Sequence, residues 1–181
     1  MRLNAPRIAP LFESEWTDEQ RVVLAPFAKQ GRLYNIFATL GHNADALKAF
    51  LEWGGYVLRR SHLSPREREL LILRVGHLCD SGYEWAQHTR LAKQAGMTDE
   101  EIARVRMGSG VQGWTESERV LLDAADELHR GYFISDDTWS ALRAFFSECQ
   151  CMDVVFIVGH YTQVCMMLNS FGIQLDADLL P

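Results

Sequence analysis

Ahead of six periodic runs of this chain a Ser or Thr is followed three residues later by Glu or Gln: Thr17/Gln20, Ser64/Glu67, Ser81/Glu84, Thr98/Glu101, Thr115/Glu118 and Ser147/Gln150. This spacing lets two side chains satisfy the orphan amides of a helix start reciprocally, so each pair marks a helix N-terminus. Pro65 stands just inside the third, where its missing N–H costs nothing, and Asn43 is a further N-cap candidate. Glycines at 31, 96, 131 and 172 follow periodic runs and mark stops. Helices are expected over 17–30, 44–60, 65–79, 82–95, 99–106, 116–130, 136–146 and 148–171. Apolar residues recur at helical spacing within them, as in Val120, Leu121, Ala124, Ala125 and Leu128. No alternating run supports a sheet. The chain reads as all-α, one domain over residues 1–181, with a Gly-rich connection at 107–114 and a loose or docking tail, LDADLLP.

The 181 residues are 48% hydrophobic, enough for a sizeable core. With 24 acidic against 18 basic residues and no Lys/Arg block, the net charge of −6 argues against a nucleic-acid surface. No signal-peptide core is visible at the N-terminus, and no apolar run is read as approaching the roughly 20 residues a bilayer demands. No membrane association is expected, and the cytoplasm is the default location. Cys79, Cys149, Cys151 and Cys165 form no Cys-x-x-Cys pair and no zinc-ribbon spacing; small buried thiols are the plain reading. The 148–171 helix is apolar nearly all round, which suits a central position or a subunit interface, so a homo-oligomer is expected. A short echo, Val75-Gly76-His77 and Val158-Gly159-His160, suggests that the two helices carrying it pack together through their glycines.

Residues 64–96 carry the chemistry. Glu84 and His88 are four apart and share one helical face, and a carboxylate with an imidazole aimed at one point is the minimum equipment for moving a proton. Ser81 and Glu84 also form a capping box, and a first-turn glutamate favours the helix dipole whatever else it does. Glu69 falls where its helix turns apolar; it is either a buried acid in need of a partner or a surface residue paired with Arg66 or Arg68. His77, Cys79, Glu84 and His88 have no recognised metal-ligand spacing, so neither metal nor cofactor is expected. His62, His129 and His160 have no distinctive neighbours.

These residues resemble the carboxymuconolactone decarboxylase family, which includes the AhpD-type alkyl hydroperoxidases. The likeness is clearest over about 64–105, in Glu84-Trp85-x-x-His88 and the Ala95-Gly96-Met97-Thr98-x-x-Glu101-Ile102 turn, and weaker at 35–50 and in the closing helix. It implies an AhpD-like helical bundle. In the hydroperoxidase branch a buried glutamate precedes Cys-x-x-Cys-x-x-x-His. Aligned here, Glu69 and His88 match, but Ser81 and Glu84 stand at the cysteine positions, and a serine cannot cycle between thiol and disulfide. The decarboxylase branch keeps Glu-x-x-x-His, matched by Glu84 and His88. It implies cofactor-free acid–base chemistry by a carbon–carbon lyase on a small lactone acid. His88 is then the proton carrier, Glu84 its orienting or basic partner and Glu69 a second buried acid. Ser81, Tyr83 and His77 are implied as substrate contacts, with Arg74 a guess for a substrate carboxylate. The resemblance also implies a trimer, hexamer or dimer. Two alternatives stay open: peroxide reduction through Cys79, with Cys149 or Cys151 as partner, and a non-catalytic helical oligomer that binds a ligand.

Overall fold

The computed structural model describes residues 2–179. Its helices are α1 (Asp18–Lys29), α2 (Asn35–Leu40), α3 (Ala44–Arg59), α4 (Pro65–Leu78), α5 (Gly82–Gln94), α6 (Asp99–Val105), α7 (Glu116–Gly131), α8 (Asp136–Phe145) and α9 (Glu148–Phe171), with 3-10 turns at Glu13–Glu15 and Ala177–Leu179. Among the described residues there is no strand.

Five of the six expected capping boxes form with both reciprocal hydrogen bonds, at Thr17, Ser64, Thr98, Thr115 and Ser147. The sixth does not. Ser81 precedes α5, but its side chain caps nothing, because Glu84 turns inward toward His88 instead of back to the Ser81 amide. Helix α2 went unread because it lacks a cap of this kind: Tyr34 precedes it without a side-chain bond. Asn35 Nδ2 instead donates to the carbonyls of Gln174 and Leu175, tying α2 to the C-terminal segment.

Helix α4 is the axis of the fold. Every residue from Glu69 to Gly76 is buried, and α5, α7 and α9 pack around it. Leu70, Leu71, Ile72 and Leu73 therefore point in all directions into one core that continues into Leu121, Leu122, Ile157 and Leu168. A second, smaller cluster of Trp16, Val23, Leu24, Ala44 and Leu47 joins α1 to α3. Helix α9 has 24 residues and is long and apolar enough to cross a membrane by composition, which corrects the expectation that no run approaches that length; 56% of its most apolar window is buried inside the protein. Helices α4 and α9 do pack, yet the shared glycines are not the reason. Gly76 faces Glu84, whereas Gly159 is exposed with open space beside it.

Arg74, the guessed substrate anchor, is spent on the fold. Its guanidinium grips Asp126 of α7 at 2.5 and 2.8 Å and donates to the Val105 and Arg106 carbonyls at 2.9 Å each. Arg66 is likewise committed, to Glu101 and Glu118. The tail is docked rather than loose as far as it is described: Asp176 is buried and accepts hydrogen bonds from the Asn35 amide, Tyr83 and Gln87. Its last two residues, 180 and 181, lie outside the described residues.

One helix stop differs from expectation. Gly131 is still helical, and the left-handed residue that ends α7 is Tyr132 (φ 58°, ψ 21°), whose side chain is 85% exposed. A β-carbon in that conformation costs on the order of 1 kcal/mol, and an exposed ring recovers little by packing. Tyr132→Gly should therefore stabilise the protein by about 1 kcal/mol. The check is an upward shift of the urea midpoint at unchanged slope.

Candidate active site

Three elements place the site. Glu69 comes from the first buried turn of α4, Glu84 and His88 from successive turns of α5, and His160 and Tyr161 from the middle of α9. Gly76 of α4 faces Glu84, where a β-carbon would lie in ordinary contact with it, 3.5 Å from Cγ.

The three residues expected to be catalytic meet. His88 Nδ1–H donates to Glu69 Oε2 at 2.6 Å, and Nε2 lies 3.0 Å from Glu84 Oε1. The second contact is close but not aligned as a hydrogen bond, so Glu84 Oε1 is a buried acceptor with no directed donor. All three side chains are almost wholly buried. Arg68 Nε, 3.3 Å from Glu69 Oε1, adds the fourth charge. With His88 protonated, Arg68, Glu69, His88 and Glu84 form a row of alternating sign and zero net charge. That pairing is what lets four charges stand together in a protein interior.

Burial alone would push the His88 pKa down, but the charge of Glu84 and the hydrogen bond to Glu69 outweigh it and raise the pKa to about 10. His88 is therefore an imidazolium at neutral pH, fixed in orientation through Nδ1. Tyr161 packs its ring edge-on against His88 at 5.0 Å. Burial, with both carboxylates nearby, drives its hydroxyl pKa far upward, so it stays a neutral phenol.

Glu84 and His88 line a cavity of about 570 Å³ between α2, α3, α5 and α9; Glu69 is not in its lining and stands behind His88. Phe37, Phe50 and Tyr161 supply aromatic wall. His160 lines it too, with burial holding its pKa down at about 4, so it is a neutral imidazole; its Nδ1 has no partner. Gly54 leaves room for that ring, since a β-carbon there would come within 3.1 Å of Nε2. Arg32, Arg59 and Arg90 also border the cavity. Arg90 is held by Asp178, Tyr34 and Gln87, whereas Arg32 and Arg59 make no ion pair among the described residues.

The three implied substrate contacts fall differently. Tyr83 lines the cavity, but its hydroxyl donates to Asp176 at 2.5 Å. Ser81 is buried beneath Glu84 with an unpartnered Oγ and is not in the lining. His77 is exposed on the outer side of α4, its ring edge-on to Trp85 at 6.2 Å. His160, Tyr161 and Arg59 went unsingled in the sequence. Only the Val-Gly-His echo hinted at the first. Among the described residues no three His, Cys, Asp or Glu side chains are grouped to hold a metal ion. No cysteine lines the cavity. Cys149 is exposed, and the buried Cys151 lies against the Phe146 carbonyl at 3.9 Å.

Comparison with known proteins agrees with this architecture. Residues 44–127 match the profile of the carboxymuconolactone decarboxylase family. No curated protein matches the chain. Among solved structures, an alkylhydroperoxidase AhpD core, peroxidase-related protein from Ralstonia eutropha JMP134 superposes with a TM-score of 0.82 at 19% identity, covering 96% of this chain and 94% of that one. A peroxidase-related protein from Silicibacter sp. TM1040 gives 0.78 at 20% identity, covering 98% and 93%. The debrominase Bmp8, in a complex with 2,3,4-tribromopyrrole, gives 0.78 at 16% identity, covering 95% and 92%. Residues 44–127, the segment that holds Glu69, Glu84 and His88, are therefore similar to the carboxymuconolactone decarboxylase family, and the whole chain shares its fold with AhpD-like structures.

Proposed function

We propose that this protein is a cofactor-free lyase that decarboxylates a small cyclic acid, or moves a proton beside its carbonyl, by acid–base chemistry at Glu84 and His88. The observation that carries the reading is the convergence of Glu69, His88 and Glu84, with the last two on the floor of a cavity that no cysteine lines.

In the decarboxylation, the bond between the ring carbon and the carboxylate breaks and carbon dioxide leaves. The electron pair moves into the conjugated carbonyl of the substrate. His88 Nε2 then returns a proton to the carbon, and water replaces that proton. An imidazolium is the right state for this task, since it stabilises the developing enolate before it donates. Glu84 holds the proton at Nε2 until it is used, and Glu69 orients the ring from behind. Arg59 and Arg32, without acidic partners, suit the carboxylates of such a substrate, and neutral His160 suits a ring oxygen. The solvent-facing Met152, Val155 and Met166 of α9 support self-association of the chain.

Incubation with carboxymuconolactone and related lactone acids in deuterated water tests this. Carbon dioxide release with deuterium entering at the carbon is expected from the natural chain, and a loss of at least about 100-fold from His88→Gln. A folded natural protein that releases no carbon dioxide and exchanges no proton on that panel would sink the reading.

A further inference from the structure

His88 carries one proton on Nε2, and the decarboxylation proposed above makes two demands on it. It steadies the enolate oxygen while carbon dioxide leaves, and it then goes to the ring carbon. A second donor is needed on the same wall of the cavity to hold the oxygen while that proton is spent.

Three tyrosines line the cavity, Tyr34, Tyr83 and Tyr161. Two have committed hydroxyls: Tyr83 donates to Asp176, and Tyr34 accepts from Arg90 at 3.1 Å. The Tyr161 hydroxyl has no such partner among the described residues, although the side chain is only 5% exposed. Its ring is fixed from two sides. The His88 ring lies perpendicular to it at 5.0 Å and 82°, and the His160 ring at 5.3 Å and 81°. The Nε2–H of His88 is also without a directed acceptor, since Glu84 Oε1 is 3.0 Å away but out of line. Two donors on adjoining rings of one wall are thus left for a ligand.

We infer that Tyr161 is a further catalytic residue, whose hydroxyl forms with His88 Nε2 an oxyanion site for the carbonyl oxygen of a planar cyclic substrate.

This role rests on the acid–base reading of Glu84 and His88, whereas the site itself can be filled without turnover. As the electron pair from the broken bond reaches the carbonyl, its oxygen gains charge and both hydrogen bonds strengthen. Burial and the two nearby carboxylates keep the Tyr161 hydroxyl protonated. When His88 delivers its proton to carbon, Tyr161 therefore keeps its own and holds the oxygen while the carbonyl re-forms. The Glu84 charge on this wall is offset by the imidazolium, and Arg32 and Arg59 add positive charge to the lining. Phe37 and Phe50 supply flat apolar wall for the ring.

4-Nitrophenolate probes the site directly, as a planar ring with a charged oxygen whose visible band moves to shorter wavelength when it accepts hydrogen bonds. Mixed with the full natural chain at mildly alkaline pH, it should bind with that shift. Tyr161→Phe keeps the ring and its packing, and should weaken binding at least about 10-fold, the worth of a hydrogen bond to a charged group. Nitrobenzene, the same ring without the charged oxygen, should bind both proteins equally. On any lactone acid that the natural chain decarboxylates, Tyr161→Phe should lower kcat about 100-fold and leave KM little changed. The inference is overturned if the natural chain binds no phenolate, if Tyr161→Phe binds it as tightly, or if the variant weakens both ligands alike. A chain that binds phenolate through Tyr161 yet releases no carbon dioxide keeps its oxyanion site, and only the lyase reading fails.

Discussion

Arg74→Met should cost this protein about 3–5 kcal/mol, the range for removing one partner of a buried ion pair. Arg74 holds Asp126 with both nitrogens of its fork and two main-chain carbonyls besides, and its side chain is only 8% exposed. Methionine fills the volume of the stem but supplies no donor. Asp126 then keeps only the exposed Arg130, 3.6 Å away, and the Val105 and Arg106 carbonyls lose their donor. Three elements meet at that one guanidinium, α4, the end of α6 and α7, so the loss falls on the packing of the central helix and not on a loop. For a chain of this length the melting midpoint should fall by roughly 10 °C. Arg74→Met combined with Asp126→Leu should recover much of it, because an apolar pair is tolerated where a lone buried charge is not. A single variant that melts within a degree or two of the natural protein would show that the bolt carries little.

The same residue shows where sequence reading stops. Arg74 looked available because nothing in the run RELLILRVG names its partner; Asp126 is 52 positions away, on a helix whose angular setting no local pattern encodes. Local signals were legible. Five capping boxes specify their helix starts through side chains three residues apart, so no tertiary knowledge is required. The sixth failed for a tertiary reason: Glu84 had a stronger use against His88 than against a backbone amide. Glu84 and His88 could be paired from spacing alone, and Glu69 could be suspected from its apolar setting. His160 and Arg59 could not be placed, because the cavity they line exists only once α3, α5 and α9 are assembled.

Glu84→Gln is the substitution that separates the charge row from its chemistry. It keeps the shape of the side chain and removes the charge that does most to raise the His88 pKa. Turnover of any acid the natural protein decarboxylates should fall by about 100- to 10,000-fold, the usual worth of a positioned acid–base group. The His88 pKa should fall as well, from about 10 toward the ordinary value near 6.5, although Glu69 still holds Nδ1. Nitrogen NMR of the imidazole reads this without a substrate. Stability must follow the same titration. A folded-state pKa raised above the unfolded one contributes fully below about pH 6.5 and is lost as the pH climbs through about 10. The natural protein should therefore lose stability across that alkaline window, and Glu84→Gln should lose less. If His88 titrates near 6.5 in the natural chain, the imidazolium is absent at neutral pH and the charge row is wrong. If His88 titrates high while Glu84→Gln retains full turnover, the row is right, and Glu84 serves the fold rather than the reaction.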